Sequence, residues 1–230
     1  MGMNHALVTG ASSGIGAATA LRLAADGWNL VLTGRDRRRL EELADRTGGR
    51  AVAADLTDDD ALRQVIDAGR GVDLLVHSAG IGWAGPFAEM EPDRIDRLVE
   101  LNLTVPMRLT RALLPPRVAF VASVAVVGVR DEDVYAATKA GLRTFAASLR
   151  YRGITTTAVF PGAVRTPFFH GRTYDRRFPR MVEPERVADA LVDAVLRGRA
   201  EVFVPRWLTV ADRLHGALPA TFHHLARRFG

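Results

Sequence analysis

Short apolar runs bounded by turn residues alternate along this chain with longer segments in which apolar residues recur every three to four positions. A short apolar run is typical of a buried strand, and the longer spacing is typical of a helix with one buried face. The runs predict seven strands, at residues 5–9, 29–33, 50–54, 72–78, 117–123, 154–160 and 201–205. The longer segments predict six helices, at residues 15–26, 37–47, 58–68, 93–114, 134–151 and 184–197.

The alternation of strands and helices determines the expected architecture. Parallel strands joined through helices need right-handed crossovers, so we expect a doubly wound, seven-stranded, mostly parallel sheet with helices on both faces. Residues 161–182 do not follow the alternation, and they come directly after a strand, where such folds bind ligands. This segment is therefore a candidate substrate lid. We expect residues 1–206 to form one dinucleotide-binding and catalytic domain.

The tail, residues 207–230, carries apolar residues at helical spacing. They are Trp207, Leu208, Val210, Ala211, Leu214, Leu218, Phe222, Leu225 and Phe229, with Arg227 and Arg228 opposite. Such a stripe needs a burial partner. The tail can pack on its own domain, form a subunit contact, or lie on a membrane as a basic amphipathic segment.

Composition narrows the class of protein. The 230 residues are 48% hydrophobic and include no cysteine. One sizeable core is expected, disulfides and thiolate zinc sites are excluded, and we predict no metal site. The chain has neither a leader-like N-terminus nor an apolar run of about 18 residues, so we expect a soluble, cytoplasmic protein. The net charge of +5 comes from arginines interspersed with acids, which argues against nucleic-acid binding.

A glycine-rich turn follows the first predicted strand and leads into a helix. Gly10, Gly14 and Gly16 allow a tight turn and a close approach to phosphate, and the helix N-terminus supplies free N–H groups. We expect Ser12, Ser13 and Ile15 to border the same site. Alternatively, the glycines only end a strand.

The end of the second strand bears on the choice of cofactor. A carboxylate there suits the ribose hydroxyls of NAD, whereas an arginine suits the 2′-phosphate of NADP. Gly34 leaves room and Arg35 can pair bidentately with phosphate, which favours NADP(H) over NAD(H). Alternatively, Arg35 and the next arginines are a solvated helix start, and Asp36 reaches a ribose.

Tyr135 and Lys139 stand four positions apart on one face of a predicted helix. Lys139 is the only lysine among 31 basic residues, so a role that needs an ammonium is indicated. An adjacent cation favours the phenolate form of tyrosine and brings it closer to the range of acid-base catalysis. The spacing therefore predicts a catalytic pair, with a surface pair as the alternative.

Along residues 5–205 the chain resembles a classical short-chain dehydrogenase/reductase, through the glycine motif and the YxxxK motif of Tyr135 and Lys139. The resemblance implies a Rossmann-type α/β fold. It also implies that Ser123 holds the substrate oxygen and that Asn102 holds a water linking the lysine to solvent. In the cofactor site it implies Asp55 and Leu56 at the adenine, Ser78, Ala79 and Gly80 in a turn beside the cofactor, and Pro161, Gly162 and Thr166 at the nicotinamide carboxamide.

Several of these positions have a structural alternative. Ser123 can cap a strand end, Asn102 a helix kink, and Asp55 a helix N-terminus. His77 and Ser78 stand where the family usually has two asparagines, which weakens the turn signal. The connection at residues 112–120 is shorter than usual. The resemblance implies a homodimer or homotetramer, but this short connection adjoins the helices that commonly form the family's dimer bundle.

The expected activity is hydride transfer between nicotinamide and a carbonyl or alcohol substrate. A non-catalytic NADP(H)-binding regulator is the alternative; it would not need Tyr135, Lys139, Ser123 and Asn102 together. An epimerase-type enzyme of related fold would need a longer C-terminal substrate domain. The segment after the sixth strand mixes apolar and basic residues. It suits either a hydrophobic substrate with a negative charge or a solvated loop packed by Phe168 and Phe169.

Overall fold

In the computed structural model, which describes residues 4–169, 180–222 and 224, seven parallel strands form one sheet in the order β3-β2-β1-β4-β5-β6-β7. The strands are β1 (His5–Thr9), β2 (Asn29–Gly34), β3 (Arg50–Ala53), β4 (Leu74–His77), β5 (Arg117–Val121), β6 (Thr155–Pro161) and β7 (Glu201–Val204). The helices are α1 (Gly14–Ala25), α2 (Arg37–Thr47), α3 (Asp59–Ala68), α4 (Pro92–Val99), α5 (Val105–Leu113), α6 (Asp133–Arg150), α7 (Pro184–Leu196) and α8 (Leu208–Ala217). The predicted doubly wound sheet is confirmed.

The strands separate two hydrophobic clusters. Ala6 and Val8 of β1 face a cluster shared with α1, α2 and α7, whereas Leu7 faces a cluster shared with α3, α5 and α6. All three side chains are fully buried. A strand that is buried on both faces has a nearly continuous run of apolar residues in its sequence. The apolar runs therefore predicted the positions of these strands.

Four predicted strands, β3, β4, β5 and β7, end one or two residues earlier than expected, and two of them lead into the predicted site. β4 ends at His77 instead of residue 78, and β5 ends at Val121 instead of residue 123. Their last predicted residues leave the sheet for other partners. The backbone N–H of Ser78 donates to the Thr9 hydroxyl, and Ser123 caps a short 3-10 turn, Val124–Val127.

The prediction of one continuous helix over residues 93–114 is wrong for the middle of that range. A wider, π-helical turn at Glu100–Thr104 separates α4 from α5. Proline has no N–H, so Pro106 cannot donate the α-helical hydrogen bond to the carbonyl of Asn102. The wide turn brings the Asn102 side chain against the loop after β4, and such turns are frequent at functional sites.

The strand order reverses direction between β1 and β4, which are neighbours in the sheet. In open α/β sheets, ligands bind in the crevice that such a reversal leaves at the carboxyl ends of the strands. The glycine-rich turn follows β1, and the turn at residues 78–80 follows β4. The fold therefore places both predicted cofactor segments at this crevice.

Helix α8 packs on the domain through one face. Leu208 is 4% exposed, and Arg143 of α6 forms ion pairs of 2.8 Å with Glu201 and 2.6 Å with Asp212. The opposite face leaves four apolar side chains exposed: Trp207, Val210, Leu214 and Leu218. What covers that face stays a prediction, because Leu225 and residues 227–229 lie outside the described residues.

Among the described residues, no helix combines the length and apolar character that crossing a membrane requires. The same part of the chain holds no group of three or more His, Asp or Glu side chains that could ligate a metal ion.

Candidate active site

The glycine-rich turn is packed so closely that side chains would not fit. A Cβ added to Gly10, whose φ is 66°, would lie 2.7 Å from the backbone nitrogen of Ala79, and one on Gly16 would lie 2.3 Å from the Gly10 carbonyl oxygen. One on Gly14, whose φ is 55°, would lie 3.0 Å from Thr166. The turn therefore brings the segments after β1, β4 and β6 into contact, which glycines that merely end a strand would not explain.

The N-terminus of α1 opens onto the same crevice. Ser13 precedes the helix in an extended conformation, and its side chain makes no capping hydrogen bond within the described residues. The first N–H groups of the helix therefore remain as donors for an anion. Ser12 lies beside β2, because a Cβ on Gly34 would come within 2.9 Å of its hydroxyl oxygen. Ile15 follows in the first turn and is partly buried.

The contacts of Asp36 and Arg35 bear on which of the two side chains could bind the cofactor. The Asp36 carboxylate accepts a 3.1 Å hydrogen bond from the backbone N–H of Arg39 and caps α2. Arg35 is exposed and its charge acts on Asp55. Asp36 is thus engaged by its own helix, where it also pairs with Arg39, and both side chains are exposed.

Asp55 occupies a turn after β3. Its carboxylate accepts hydrogen bonds from the hydroxyl and the backbone N–H of Thr57, at 2.7 and 3.1 Å. Burial alone would raise the pKa of Asp55, but these bonds and the charges of Arg35 and Arg97 outweigh burial and hold the pKa below its ordinary value. The side chain is therefore a carboxylate, and Leu56 beside it is buried. Asp58, not Asp55, caps α3.

Lys139 is the sole lysine, and it is only 5% exposed. Its Nζ donates a 2.9 Å hydrogen bond to the Val121 carbonyl and lies 5.7 Å from the centre of the Tyr135 ring. Burial lowers the pKa of Lys139 to about 8. The ammonium has two further donor hydrogens beyond the bond to Val121, so it can also serve a second and a third acceptor.

Asn102 is fully buried and joins the loop after β4 to α6. Its amide accepts from the Ile81 backbone N–H at 2.9 Å and donates to the Ile81 carbonyl at 2.8 Å. A Cβ on Gly80 would lie 3.1 Å from the Asn102 amide oxygen and 3.5 Å from the Lys139 Nζ. Gly80 therefore allows these two side chains to approach each other, so Asn102 is both the kink residue and part of the cluster.

Ser123 lies just beyond β5. Its hydroxyl oxygen accepts a 3.1 Å hydrogen bond from the backbone N–H of Ala125. The hydroxyl hydrogen is not used by that bond, so Ser123 can cap the turn and still donate to an oxygen in the crevice. The two roles expected of Ser123 are compatible.

The segment after β6 is fixed at its start. Pro161 is the last residue of β6, and the backbone N–H of Gly162 donates a 2.9 Å hydrogen bond to the Val204 carbonyl. Phe168 packs on Tyr135 with ring centres 5.6 Å apart. Residues 170–179 of the predicted lid, and the Phe169 side chain, lie outside the described part of the chain.

Sequence reasoning missed two hydroxyl residues that organise the cluster. The Thr9 hydroxyl accepts from the backbone N–H groups of Ser78 and Ala79, each at 3.1 Å, and so holds the turn after β4. The Thr138 hydroxyl donates to the Tyr135 carbonyl at 2.8 Å and lies 3.3 Å from the Asn102 amide nitrogen. Thr9 directly precedes the glycine turn and Thr138 lies inside the YxxxK motif, and these positions were the available signal.

His77 stands where the resemblance implies an asparagine, and its side chain is packed and hydrogen-bonded. It is 3% exposed, stacks on Phe120 with ring centres 5.1 Å apart, and its Nε2 lies 2.9 Å from the Thr110 hydroxyl. Burial, and then the charge of Lys139, lower the pKa of His77 to about 3. The imidazole is therefore neutral and serves as a packed hydrogen-bonding group.

Comparisons with known proteins agree with this arrangement. The family model described as short chain dehydrogenase matches residues 4–177. Serine 3-dehydrogenase of Agrobacterium fabrum is 34% identical over an alignment of 185 positions, which covers 73% of this chain and 74% of that one. A short-chain dehydrogenase from Sphingobium yanoikuyae, solved in complex with NADPH, superposes with a TM-score of 0.83 at 30% identity, covering 95% of this chain and 96% of that one.

A second solved structure is the bulky-bulky ketone specific alcohol dehydrogenase from Comamonas testosteroni. It superposes with a TM-score of 0.80 at 29% identity, covering 96% of this chain and 95% of that one. Family model, sequence and fold thus agree over most of the chain. The chain belongs to the short-chain dehydrogenase family.

Proposed function

We propose that this protein is an NADP(H)-dependent oxidoreductase that interconverts a carbonyl compound and an alcohol. The observation that carries the proposal is the cluster of Tyr135, Lys139 and Asn102 at the sheet crevice, next to a glycine turn that admits no side chains. The NADPH complex of the Sphingobium relative and the ketone specificity of the Comamonas enzyme support it. A regulator that only bound a dinucleotide would not need the buried cluster.

The residues present fit a dinucleotide. The pyrophosphate would lie against the α1 N-terminus and its glycine turn, where a Cβ on Gly10 or Gly16 would fill the space. Arg35 would hold the 2′-phosphate, and Asp55 and Leu56 would border the adenine. The remaining contacts would come from Ser12, Ser13, Gly14, Ile15, Ser78, Ala79, Gly80, Pro161, Gly162 and Thr166.

Proton transfer is assigned to Tyr135. A bound nicotinamide supplies the hydride, and the chain's own residues handle the substrate oxygen. Ser123 donates a hydrogen bond to that oxygen while the Tyr135 phenol gives its proton during reduction, or takes one during oxidation. Both groups act where negative charge develops, so they stabilise the transition state more than the ground state.

Lys139 supports Tyr135 in two ways. Its positive charge favours the phenolate form of the tyrosine, and its remaining donors can bind a ribose hydroxyl and a water. The bond to the Val121 carbonyl fixes Nζ in place. Asn102, held by Ile81, positions the water that links the lysine to solvent. This division of roles explains why the ammonium is not replaced by a guanidinium.

The test is a screen of NADPH oxidation against ketones, quinones, acyl thioesters and sugars, with Tyr135→Phe as the matched variant. We expect turnover of at least one carbonyl class by the wild type. The variant should lose turnover by about a hundredfold or more, since proton transfer contributes about that much, while it still binds NADPH. Tight NADPH binding without turnover of any carbonyl would refute the catalytic proposal.

A further inference from the structure

A cavity of about 580 Å³ lies at the carboxyl end of β7, away from the groups assigned to proton transfer. It is formed where the chain enters α7 and where it leaves β7. Its lining residues are Arg180, Met181, Val182, Glu183, Arg186, Pro205 and Trp207. None of them has a role in the proposed cofactor site or in catalysis.

The cavity is joined to the active site through the segment after β6. Val182 forms a β-bridge with Val164, and the backbone N–H of Arg165 donates to the Val182 carbonyl at 2.9 Å. Farther along this segment, Thr166 adjoins Gly14 and Phe168 packs on Tyr135. A single stretch of chain therefore borders the reaction centre at one end and the cavity at the other.

The distance between the two places follows from the sheet. β5, β6 and β7 are consecutive neighbours, and adjacent strands are about 4.8 Å apart. The carboxyl end of β7 is therefore about 10 Å from that of β5, where Ser123 stands. A molecule whose carbonyl is bound at Ser123 reaches the cavity with a tail of about that length.

The cavity has an excess of positive charge. Within the described part of the chain, neither Arg180 nor Arg186 forms an ion pair, whereas the Glu183 carboxylate is paired with Arg165 at 2.8 Å. The other lining side chains among the described residues are apolar or aromatic. Two available guanidinium groups beside an apolar wall suit an anion carried on a hydrophobic tail.

We infer that this cavity binds the anionic end of the substrate, and that the substrate is a ketone with an apolar tail ending in a carboxylate or a phosphate. The inference rests on the proposed function and specifies its substrate class. The carbonyl is held at Ser123, the tail crosses the carboxyl end of β6, and Arg180 and Arg186 bind the terminal anion. No bond changes in the cavity, so its effect falls on substrate affinity and kcat/KM.

The test uses three ketones that share one chain and differ only at the end about 10 Å from the carbonyl: a carboxylate, a phosphate monoester, and the methyl ester of the carboxylate. The wild type is expected to favour a charged ketone over the ester by about tenfold or more in kcat/KM, a typical effect of a charge-assisted hydrogen bond. Preference between carboxylate and phosphate identifies the anion. Arg186→Gln and Arg180→Gln should each lower kcat/KM for that ketone about fivefold or more and leave the ester unchanged.

Arg152→Gln is the matched control. Arg152 is exposed in the turn that precedes β6, at the opposite end of the strands from the cavity. This variant should therefore retain the preference. Equal kcat/KM for the three ketones, or equal losses in all three variants, overturns the inference and leaves the proposed oxidoreductase intact. Reduction of none of the panel compounds would instead contradict the proposed function.

A binding measurement without cofactor tests anion binding in the cavity separately from the proposed oxidoreductase activity. Trp207 lines the cavity, so titration with an alkyl carboxylate should change the protein's fluorescence, and the matching alkyl alcohol should change it much less. The signal should be lost in Trp207→Phe and weakened at least fivefold in apparent affinity in Arg186→Gln. A carboxylate response that Trp207→Phe or Arg186→Gln leaves unchanged would overturn the inference even if ketones are reduced.

Discussion

Replacing Lys139 by methionine should abolish activity and, at neutral pH, remove a cost of folding. The Lys139 side chain is 5% exposed, and burial lowers the pKa of its ammonium from 10.5 to about 8. Below about pH 8 the lysine is charged in both the folded and the unfolded chain, so the native state bears the full cost of burying the charge. Methionine has a similar length and no charge to bury.

The magnitude follows from the difference in pKa. Each pKa unit corresponds to about 1.4 kcal/mol, so the lowering from 10.5 to about 8 amounts to about 3 kcal/mol. Because the unfolded state binds more protons between these values, the wild type gains stability relative to Lys139→Met as pH rises through this window. The lost bond to the Val121 carbonyl also differs between the two proteins. The pH-independent part of that contribution cancels when two pH values are compared, and the pH-dependent part is already contained in the pKa of Lys139.

The assay is urea unfolding of both proteins without cofactor, from about pH 7 to about pH 10.5. The free energy of unfolding of the variant minus that of the wild type should fall by about 3 kcal/mol across this range. Making both measurements in a Tyr135→Phe background removes the phenol that interacts with Lys139, and the other titrating groups are common to both proteins and largely cancel. A difference that stays constant with pH would show that Lys139 is not buried as a charged group, and would refute the reasoning.

Three further results are expected. Arg35→Ala should weaken NADPH binding about tenfold or more and leave NADH binding unchanged, because only NADPH loses a charge-assisted pair; equal affinity of the wild type for both cofactors in calorimetry would contradict this. Lys139→Arg should keep less than about a tenth of wild-type turnover in a folded protein, since a planar guanidinium cannot occupy the ammonium's place. Arg143→Met should lower the free energy of unfolding by about 1–3 kcal/mol, because Asp212, with its side chain 12% exposed, loses its partner; an exposed control, Arg152→Met, should unfold as the wild type does.

The layout of the sheet was predictable because its strands are buried on both faces and its helices on one. The interruption at Glu100–Thr104 was not, although Pro106 is visible in the sequence. A proline near the start of a helix and a proline inside one look alike when only apolar spacing is considered. The hydrogen bonds between Asn102 and Ile81, across 21 residues, hold the wide turn and have no counterpart in the local pattern.

In the candidate site, too, some residues were predictable from the sequence and others were not. Gly10, Gly14 and Gly16 were predictable because their spacing reflects a local turn, and Lys139 stood out as the only lysine. Thr9 and Thr138 were missed because a hydroxyl that binds backbone groups can occur at many positions without a spacing rule. That Asp36 caps α2 required the geometry of the helix start, which two adjacent charged residues do not reveal.

The solitary, buried lysine makes this protein unusually accessible to selective spectroscopy. Because the chain contains one lysine, an isotope label supplied as lysine places a single side-chain amine reporter in the whole molecule, inside the proposed reaction centre. Its nitrogen resonance would follow protonation of the ammonium directly, in the unaltered protein and at each stage of ligand addition. Amine-directed reagents would modify no side chain other than Lys139, besides the α-amino group. Protection of Lys139 from labelling would therefore measure how fully the crevice is filled.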